Sequence, residues 1–234
     1  MLDSDPHVAE DVRSSMSSHI VTLNPEDPRE DRLRAAVAVL EAGGVVSLPT
    51  ETFYGLAVDA FREDALCRVN VLKRKPAASP ILLLLADPSQ IGQVAGDLPA
   101  AFETMVETFW PGPLTLVVPA RPGLPEAIAG KRGAVAVRVP GLALPRLLAG
   151  ALGRPISGVS ANLTGFPACR TAYEVSEMFP EGVEMILDGG PSTGGAPSTI
   201  LDLTAPQPLV LREGAIPIAA LRPFLVGVRR SSVY

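Results

Sequence analysis

Two turns carry small polar side chains directly after apolar stretches of the chain. Thr50 and Thr52 follow the run that ends at a proline in SLPTETFYGLAVDA, and Ser160 and Asn162 follow the run in ISGVSANLTGFPA. Hydroxyl and amide groups donate and accept hydrogen bonds, and open α/β sheets bind ligands at the turns that follow their strands. The pattern predicts a polar ligand pocket. The alternative for each turn is a hydrogen-bonded turn with a purely structural role.

Basic side chains beside or inside apolar runs form a second set of candidates. Lys73, Arg74 and Lys75 stand together before a proline in KRKPAASP, Arg138 lies within AVAVRVPG, and Arg212 follows PLVL. Clustered lysine and arginine suit polyphosphate, and an arginine on a strand suits a carboxylate or phosphate. The alternatives are a solvated basic face for the cluster and an internal ion pair for each strand arginine.

Several kinds of catalysis lack the residues that they need. A serine nucleophile at Ser160 has no base, because the only histidines are His7 and His19, near the N-terminus. Cys67 and Cys169 lie far apart and show no metal-ligand spacing, and DGGPSTGGAPSTI lacks the GxxxxGK[ST] pattern of a phosphate loop. The remaining groups favour positioning and charge neutralisation, as in phosphoryl or nucleotidyl transfer. Any Mg²⁺ would then be held mainly by phosphate oxygens and water.

The elements that must position these residues alternate between helices and apolar strands. The chain has 234 residues, of which 47% are hydrophobic and 19% charged, which suits one α/β domain with a sizeable core. Apolar runs predict strands at 20–23, 45–48, 79–87, 114–119, 133–141, 155–161, 183–190, 198–203 and 208–215. Helical spacing predicts helices at 28–44, 62–75, 98–110, 142–152, 171–179 and 218–226.

Composition also bounds the partners and the cellular setting. The net charge of −5 argues against nucleic-acid binding driven by overall charge, although a local basic patch stays open. No apolar run reaches the roughly 20 residues that span a bilayer, and the N-terminus has no apolar signal core. We therefore expect a cytoplasmic protein that contacts no membrane. We expect a flexible leader at 1–19, a catalytic domain at 20–226 and a tail at 227–234.

Seven segments, in order, resemble the YrdC-like family of threonylcarbamoyl-AMP synthases. They are LPTETFYGLAVDA, LKRKPAASPILLLL, FWPGPLTLVV, VAVRVPG, PISGVSANLTGFPA, DGG with STILDL, and VLREG, and together they cover roughly 20–225. The resemblance implies a YrdC-like twisted mixed sheet flanked by helices, with a concave, positively lined cavity. It implies that L-threonine, bicarbonate or CO₂, and ATP give threonylcarbamoyl-AMP and pyrophosphate. The product would feed a partner complex that modifies an adenosine beside the anticodon of tRNA.

The resemblance also implies roles for individual residues, with Mg²⁺ held through the ATP phosphates and no metal ligand from the protein. Catalytic roles fall to Lys73, Lys75 and Arg138. Threonine would be held by Thr50, Arg138, Ser160, Ser198 and Thr199, and ATP by Lys73, Lys75, Ser160, Asn162 and Arg212.

The chain departs from the family pattern at two positions. Lys75 stands where the family usually has arginine, so either Lys75 or Arg74 would reach phosphate, and Pro197 replaces the usual acidic residue. The role of Glu51 stays open. We expect the short form of the family, without an additional C-terminal domain.

Three other readings compete with the synthase. The nearest is a paralogous branch of the same fold that binds double-stranded RNA or acts in ribosome maturation. The second is a non-enzymatic module that binds double-stranded RNA. The third, a weaker one, is a carbamoyl-transfer domain like those of hydrogenase-maturation proteins. The paralogous branch tends to lack the lysine and the Ser-Ala-Asn triplet, which are present here as Lys73 and Ser160-Ala161-Asn162 and favour the synthase.

Overall fold

The computed structural model describes residues 19–75, 81–225 and 227–231, which form two mixed β-sheets flanked by helices. The strands are β1 His19–Thr22, β2 Val46–Pro49, β3 Tyr54–Ala57, β4 Leu82–Leu84, β5 Leu114–Pro119, β6 Ala134–Arg138, β7 Ile156–Ser157, β8 Val159–Ser160, β9 Met185–Asp188, β10 Thr199–Asp202, β11 Leu209–Arg212 and β12 Arg229–Arg230. The helices are α1 Glu30–Glu41, α2 Glu63–Leu72, α3 Ala101–Phe109, α4 Glu126–Ala129, α5 Ala143–Leu152, α6 Ala172–Met178 and α7 Ile218–Leu221, with a 3-10 helix at Pro88–Gln93. The predicted α/β class, with mixed sheets and flanking helices, is confirmed.

One sheet has five strands in the order β1-β9-β2-β3-β8, and the other has seven in the order β12-β11-β10-β5-β6-β4-β7. β5 pairs with β10 in parallel and with β6 in antiparallel orientation, so the larger sheet is mixed at its centre. Because β7 and β8 are separated by Gly158 alone but belong to different sheets, the chain passes from one sheet to the other at this glycine. A Cβ atom at Gly158 would lie 2.5 Å from Leu84 Cγ, so only glycine fits the crossing.

The helices form where local signals and an apolar face agree. α1 has two acids in its first turn, which favour the helix dipole, and it buries Ala36 and Leu40. α6 begins at a capping box, in which the Thr171 hydroxyl accepts from the Glu174 N–H and the Glu174 carboxylate accepts from the Thr171 N–H. Fully buried leucines such as Leu40 each contribute about 1.5–3 kcal/mol to stability through removal of apolar surface from water.

Several elements differ from the sequence prediction, among them α4 and the 3-10 helix, which were not predicted. β3 follows β2 in a hairpin that was not predicted, because its turn is closed by side-chain hydrogen bonds rather than by an Asn-Gly pair. The helix predicted at 218–226 ends at Leu221, since Pro223 cannot continue a helix. Within 227–234, which was predicted as a tail, Arg229–Arg230 forms β12 and pairs with β11.

Candidate active site

Two cavities meet at the junction of the sheets. The larger, of about 620 Å³, lies on the seven-stranded sheet, and the smaller, of about 340 Å³, lies against the β2–β3 hairpin. Ser160, Ser198 and Arg212 line both cavities. The geometry therefore suits two ligands that approach each other at these three residues.

The floor of the larger cavity is a partly exposed patch of the seven-stranded sheet. Ala136 on β6 is in register with Leu82 on one side and Val117 on the other, while Ile200 on β10 stands opposite Thr115 on β5. Ala136 has only a methyl side chain and its neighbours are larger, so the sheet surface has a depression at Ala136. The resulting depression is apolar and broad, as a site for a flat ring or a sugar would be.

The rim of the larger cavity is cationic. Lys75, Lys131, Arg132 and Arg212 line it, and none of its described lining residues is acidic. Lys131 and Arg132 were missed in the sequence analysis, although their signal, a basic pair between two glycines just before β6, stands in the sequence. The cavity therefore favours an anionic ligand.

The structure also separates the two candidates that follow Lys73 in the basic cluster. Lys75 lines the larger cavity, whereas Arg74 lines neither cavity and is exposed. Arg74 has a φ of 53°, which places it in the left-handed region and turns the chain after α2. Lys75 is thus the member of this pair that can face a ligand in the cavity.

Lys73 lies behind the cavities rather than on their walls. Its ammonium group is buried, lies against the Ser160 carbonyl oxygen, and donates to the carbonyl and side-chain oxygens of Asn162 at 2.7 and 3.1 Å. Burial, and then the positive charge of Lys75, lower the pKa of Lys73 to about 8. The ammonium has three N–H donors and three oxygen neighbours, so Lys73 fixes the Ser160–Asn162 turn from below.

Within this turn Ser160 points outward and Asn162 inward. The Ser160 hydroxyl lines both cavities and donates to Asn162 Oδ1 at 2.6 Å. The Asn162 amide nitrogen donates to the carbonyl oxygens of Leu163 and Phe166 at 3.1 and 2.7 Å. Asn162 lines neither cavity, so its contacts orient the Ser160 hydroxyl and close the turn.

Arg212 and Ser198 form the opposite side of the junction. The Arg212 guanidinium donates through Nε and Nη2 to the Ser198 carbonyl oxygen at 3.1 and 2.8 Å. The hydroxyl groups of Ser198 and Thr115 lie 3.0 Å apart. Thr199, by contrast, is fully buried and lines neither cavity, and its hydroxyl donates to the Ile216 carbonyl oxygen at 2.6 Å.

The smaller cavity is walled by the hairpin turn. Thr50, Thr52, Phe53 and Tyr54 line it, and the Thr50 and Thr52 hydroxyl oxygens lie 2.9 Å apart. The Thr50 hydroxyl donates to the Phe53 carbonyl oxygen at 2.8 Å and accepts from the backbone N–H of Thr52 and Phe53. Thr50 therefore shapes the turn as well as lining the cavity. Pro197, which stands where the family usually has an acid, is also on the wall.

Tyr54 anchors the back of this turn. Its hydroxyl donates to the Gly190 carbonyl oxygen at 2.8 Å and lies 3.3 Å from Asp188 Oδ1. Burial, and next the Asp188 carboxylate, raise the pKa of Tyr54, so the phenol stays protonated. The hairpin is thereby tied to the loop that follows β9.

Arg138 is buried on β6 and lines neither cavity. It forms an ion pair with Glu51, and its Nε donates to the Gly112 carbonyl oxygen at 3.0 Å. The structure thus brings Thr50, Lys75, Ser160, Ser198 and Arg212 together on the cavity walls. It places Lys73, Arg138, Asn162 and Thr199 behind those walls.

The donor set of this site suits anion binding and hydrogen bonding. Among the described residues, no group of three or more histidine, cysteine, aspartate or glutamate side chains is arranged to hold a metal ion. The described part of the chain also contains no helix with the length and apolarity needed to cross a bilayer.

Comparison with known proteins adds the following matches. The Sua5–YciO–YrdC family model, described as "Telomere recombination", matches residues 38–214. The chain is 36% identical over 210 residues to a threonylcarbamoyl-AMP synthase of Pyrococcus abyssi, covering 89% of this chain and 62% of that one. It is 36% identical over 172 residues to a threonylcarbamoyl-AMP synthase of Stutzerimonas stutzeri, covering 74% of this chain and 92% of that one.

The fold matches a solved structure over most of the chain. The crystal structure of P. abyssi Sua5 complexed with L-threonine superposes with a TM-score of 0.87 at 35% identity. The match covers 92% of this chain and 63% of that protein. The chain therefore spans less than two thirds of the length of the P. abyssi protein.

Proposed function

The chain belongs to the Sua5–YciO–YrdC family, and we propose that it is a threonylcarbamoyl-AMP synthase. It makes threonylcarbamoyl-AMP and pyrophosphate from L-threonine, bicarbonate or CO₂, and ATP, as a nucleotidyltransferase. The observation that carries this proposal is that two cavities of different character share the walls formed by Ser160, Ser198 and Arg212. A reaction that joins an amino-acid derivative to a nucleotide needs such a meeting point.

The smaller cavity is the proposed threonine site. Its hydroxyl groups at Thr50 and Thr52 and its volume of about 340 Å³ suit a small polar amino acid. Ser198 lies at the inner end, where the carbamate group would face the nucleotide. That a solved relative covering 92% of this chain is complexed with L-threonine supports a threonine site in this fold.

The larger cavity is the proposed ATP site. Its apolar floor around Ala136 suits the nucleoside, and Lys75 and Arg212 suit the phosphates. Lys73 and Asn162 act through the turn that carries Ser160, because their polar groups are hydrogen bonded within it. Mg²⁺ would be carried mainly by the phosphates and water.

The proposed reaction is an in-line displacement at the α-phosphate. A carboxylate oxygen of threonine carbamate attacks the α-phosphorus and forms the new P–O bond, while the bond to the bridging oxygen of pyrophosphate breaks. Both reactants are anionic, so their approach costs electrostatic energy that fixed cations offset. Arg212 and the Ser160 hydroxyl, which belong to both cavities, are placed to hold the two reactants at the α-phosphate.

Arg138 has a conditional role in this scheme. Its guanidinium is paired with Glu51 and lies behind the wall, so we propose that it holds the threonine carboxylate only after exchanging partners. Thr199 supports the wall from behind through its hydrogen bonds to Ile216. Downstream, the product would pass to a complex that modifies tRNA, and a cytoplasmic setting fits such a role.

The test is a product assay with substrate omission. Purified protein should release pyrophosphate from ATP only when threonine and bicarbonate are both present, and mass spectrometry should detect threonylcarbamoyl-AMP. Equal pyrophosphate release without threonine would contradict the synthase. Salt-sensitive binding of double-stranded RNA without turnover would instead support the paralogous, RNA-binding function.

A further inference from the structure

The turn between α4 and β6 carries two cations to the rim of the larger cavity. Lys131 and Arg132 stand between Gly130 and Gly133, whose φ angles are 58° and 62°. These left-handed conformations favour glycine and make a tight turn, so the two basic side chains project from its tip. Both side chains line the cavity, yet neither has been given a role in the proposed reaction.

Among the described residues that line the cavity, none is a carboxylate that would offset the charges of this turn. The carboxylate that pairs with Arg132 is Asp202, at 4.0 Å, and that aspartate already accepts from the Thr204 N–H and hydroxyl at 2.9 and 2.6 Å. The Arg132 side chain is 76% exposed, so the ion pair contributes little and can exchange for a ligand.

Lys75 reaches the same cavity from a neighbouring element. It follows α2, which packs against α4, and the Ile81 N–H donates to the Ala127 carbonyl oxygen at 3.1 Å. Lys75, Lys131 and Arg132 therefore project from two adjoining turns into one space of about 620 Å³. The apolar floor around Ala136 belongs to the sheet itself, whereas these charges stand on turns outside the strands. A ligand with an apolar end and a polyanionic end matches this division.

We propose that Lys131 and Arg132 hold the β- and γ-phosphates of ATP, and then the pyrophosphate product, together with Lys75. The proposal rests on the proposed function, because it assigns the polyphosphate end of the same nucleotide. Arg132 offers a planar fork that can donate two parallel hydrogen bonds to a phosphate, and Lys131 adds a point charge. The nucleoside then lies over Ala136, and the α-phosphate lies where the two cavities meet.

The experiment compares K131A/R132A with two matched variants. R29A/R34A removes two arginines of the α1 region, whose side chains are 77% and 72% exposed, and changes net charge equally. K131R/R132K retains both charges. Calorimetry measures inorganic pyrophosphate and AMP separately, and steady-state kinetics measure KM for ATP and for threonine.

K131A/R132A should weaken pyrophosphate binding and raise KM for ATP about tenfold each, which corresponds to about 1.4 kcal/mol. AMP binding and KM for threonine should change less than twofold. R29A/R34A should match the wild type, and K131R/R132K should recover most of the pyrophosphate affinity. An equal loss of AMP and pyrophosphate affinity, or no loss of either, would overturn the proposal.

The synthase activity and the phosphate-binding role of Lys131 and Arg132 can be tested separately. If the wild type releases no threonine-dependent pyrophosphate, the synthase function is wrong. The binding measurements on the same protein still decide whether Lys131 and Arg132 select the pyrophosphate group over the nucleoside monophosphate.

Discussion

Glu51 and Arg138 form an ion pair behind the turn that lines the smaller cavity. The Arg138 side chain is 4% exposed and that of Glu51 23%, and Glu51 Oε1 also accepts from the Gly141 N–H at 2.8 Å. Burial alone would raise the pKa of Glu51, but the Arg138 charge and the Gly141 hydrogen bond outweigh it and lower the pKa below its ordinary value. The pair therefore connects β6 to the hairpin turn.

Replacing Glu51 with glutamine should destabilise the protein by about 2–4 kcal/mol, because Arg138 would remain buried without its counterion. Urea denaturation measures the loss. Since the folded pKa of Glu51 is lowered, its stabilising contribution is present above the unfolded pKa of about 4.3 and is lost as pH falls through the folded value. When the pH is lowered below about 4.3, the free energy of unfolding should therefore fall less in the variant than in the wild type.

Glu107→Gln on α3 is the matched control for this variant, because Glu107 is exposed. It should leave both stability and its acid dependence close to those of the wild type. If Glu51→Gln behaves like Glu107→Gln, the ion pair contributes nothing to folding.

Deprotonation of Lys73 should make the activity fall as pH rises through about 8, which is the falling limb of the pH profile. The pKa of Lys73 is lowered to about 8, and loss of the proton leaves two N–H donors for the three oxygens that hold the Ser160–Asn162 turn. Stability follows a different course: between about pH 8 and 10.4 the unfolded chain keeps the proton that the folded chain has lost, so this lysine raises the free energy of unfolding with pH.

A pH profile of kcat/KM measures the effect on activity, ¹³C NMR of labelled lysine measures the pKa of Lys73, and urea denaturation at a series of pH values measures the effect on stability. Lys75→Met should move the falling limb to higher pH, because the charge of Lys75 contributes to lowering the Lys73 pKa. A limb that stays in place in Lys75→Met, or that coincides with unfolding, would count against Lys73 as its origin.

Ser160→Ala should lower kcat/KM by about tenfold to a hundredfold, since Ser160 lines both cavities and its hydroxyl can exchange the bond to Asn162 Oδ1 for one to a ligand. The melting temperature should stay nearly unchanged, because Ser160 is exposed and its hydroxyl donates only within its own turn. Ser176→Ala on α6, which also removes an exposed hydroxyl, is the control and should retain full activity. Equal activity in the two variants would remove Ser160 from the site.

Thr199→Val should cost about 3 kcal/mol of stability even though it keeps the side-chain shape. The Thr199 hydroxyl donates to the Ile216 carbonyl oxygen and accepts from the Gly214 and Ile216 N–H groups, so its loss leaves buried polar groups unpaired. Thr199→Ser keeps the hydroxyl and should be much milder. A change in KM for threonine with unaltered stability would instead place Thr199 in contact with the substrate.

Much of the fold could be predicted from the sequence because apolar runs mark buried strands whatever their partners. The polar turns around Thr50 and Ser160 were predicted for the same reason, as each ends such a run, whereas Ser198 was named only through the family resemblance. The β2–β3 hairpin could not be predicted, because its turn depends on the Thr50 hydroxyl rather than on a familiar turn pair. Local sequence thus indicated residues of the candidate site but did not determine its outline.

The direction in which a cation points was the least predictable feature. Lys73 faces the Ser160 carbonyl oxygen 87 positions away in the sequence, and Arg138 on the seven-stranded sheet faces Glu51 in the hairpin turn of the five-stranded sheet. Nothing in the local sequence of either basic residue specifies these partners. Lys131 was overlooked because a basic pair between glycines is typical of an ordinary solvated turn.

The walls shared by the two cavities have a thermodynamic consequence. Ser160, Ser198 and Arg212 cannot adjust to one substrate without altering the surface offered to the other. Under the proposed function, the affinities for threonine and for nucleotide are therefore linked: the factor by which one ligand changes the affinity for the other equals the factor in the reverse direction. Neither dissociation constant is a property of its own pocket alone, and each has meaning only at a stated concentration of the second substrate.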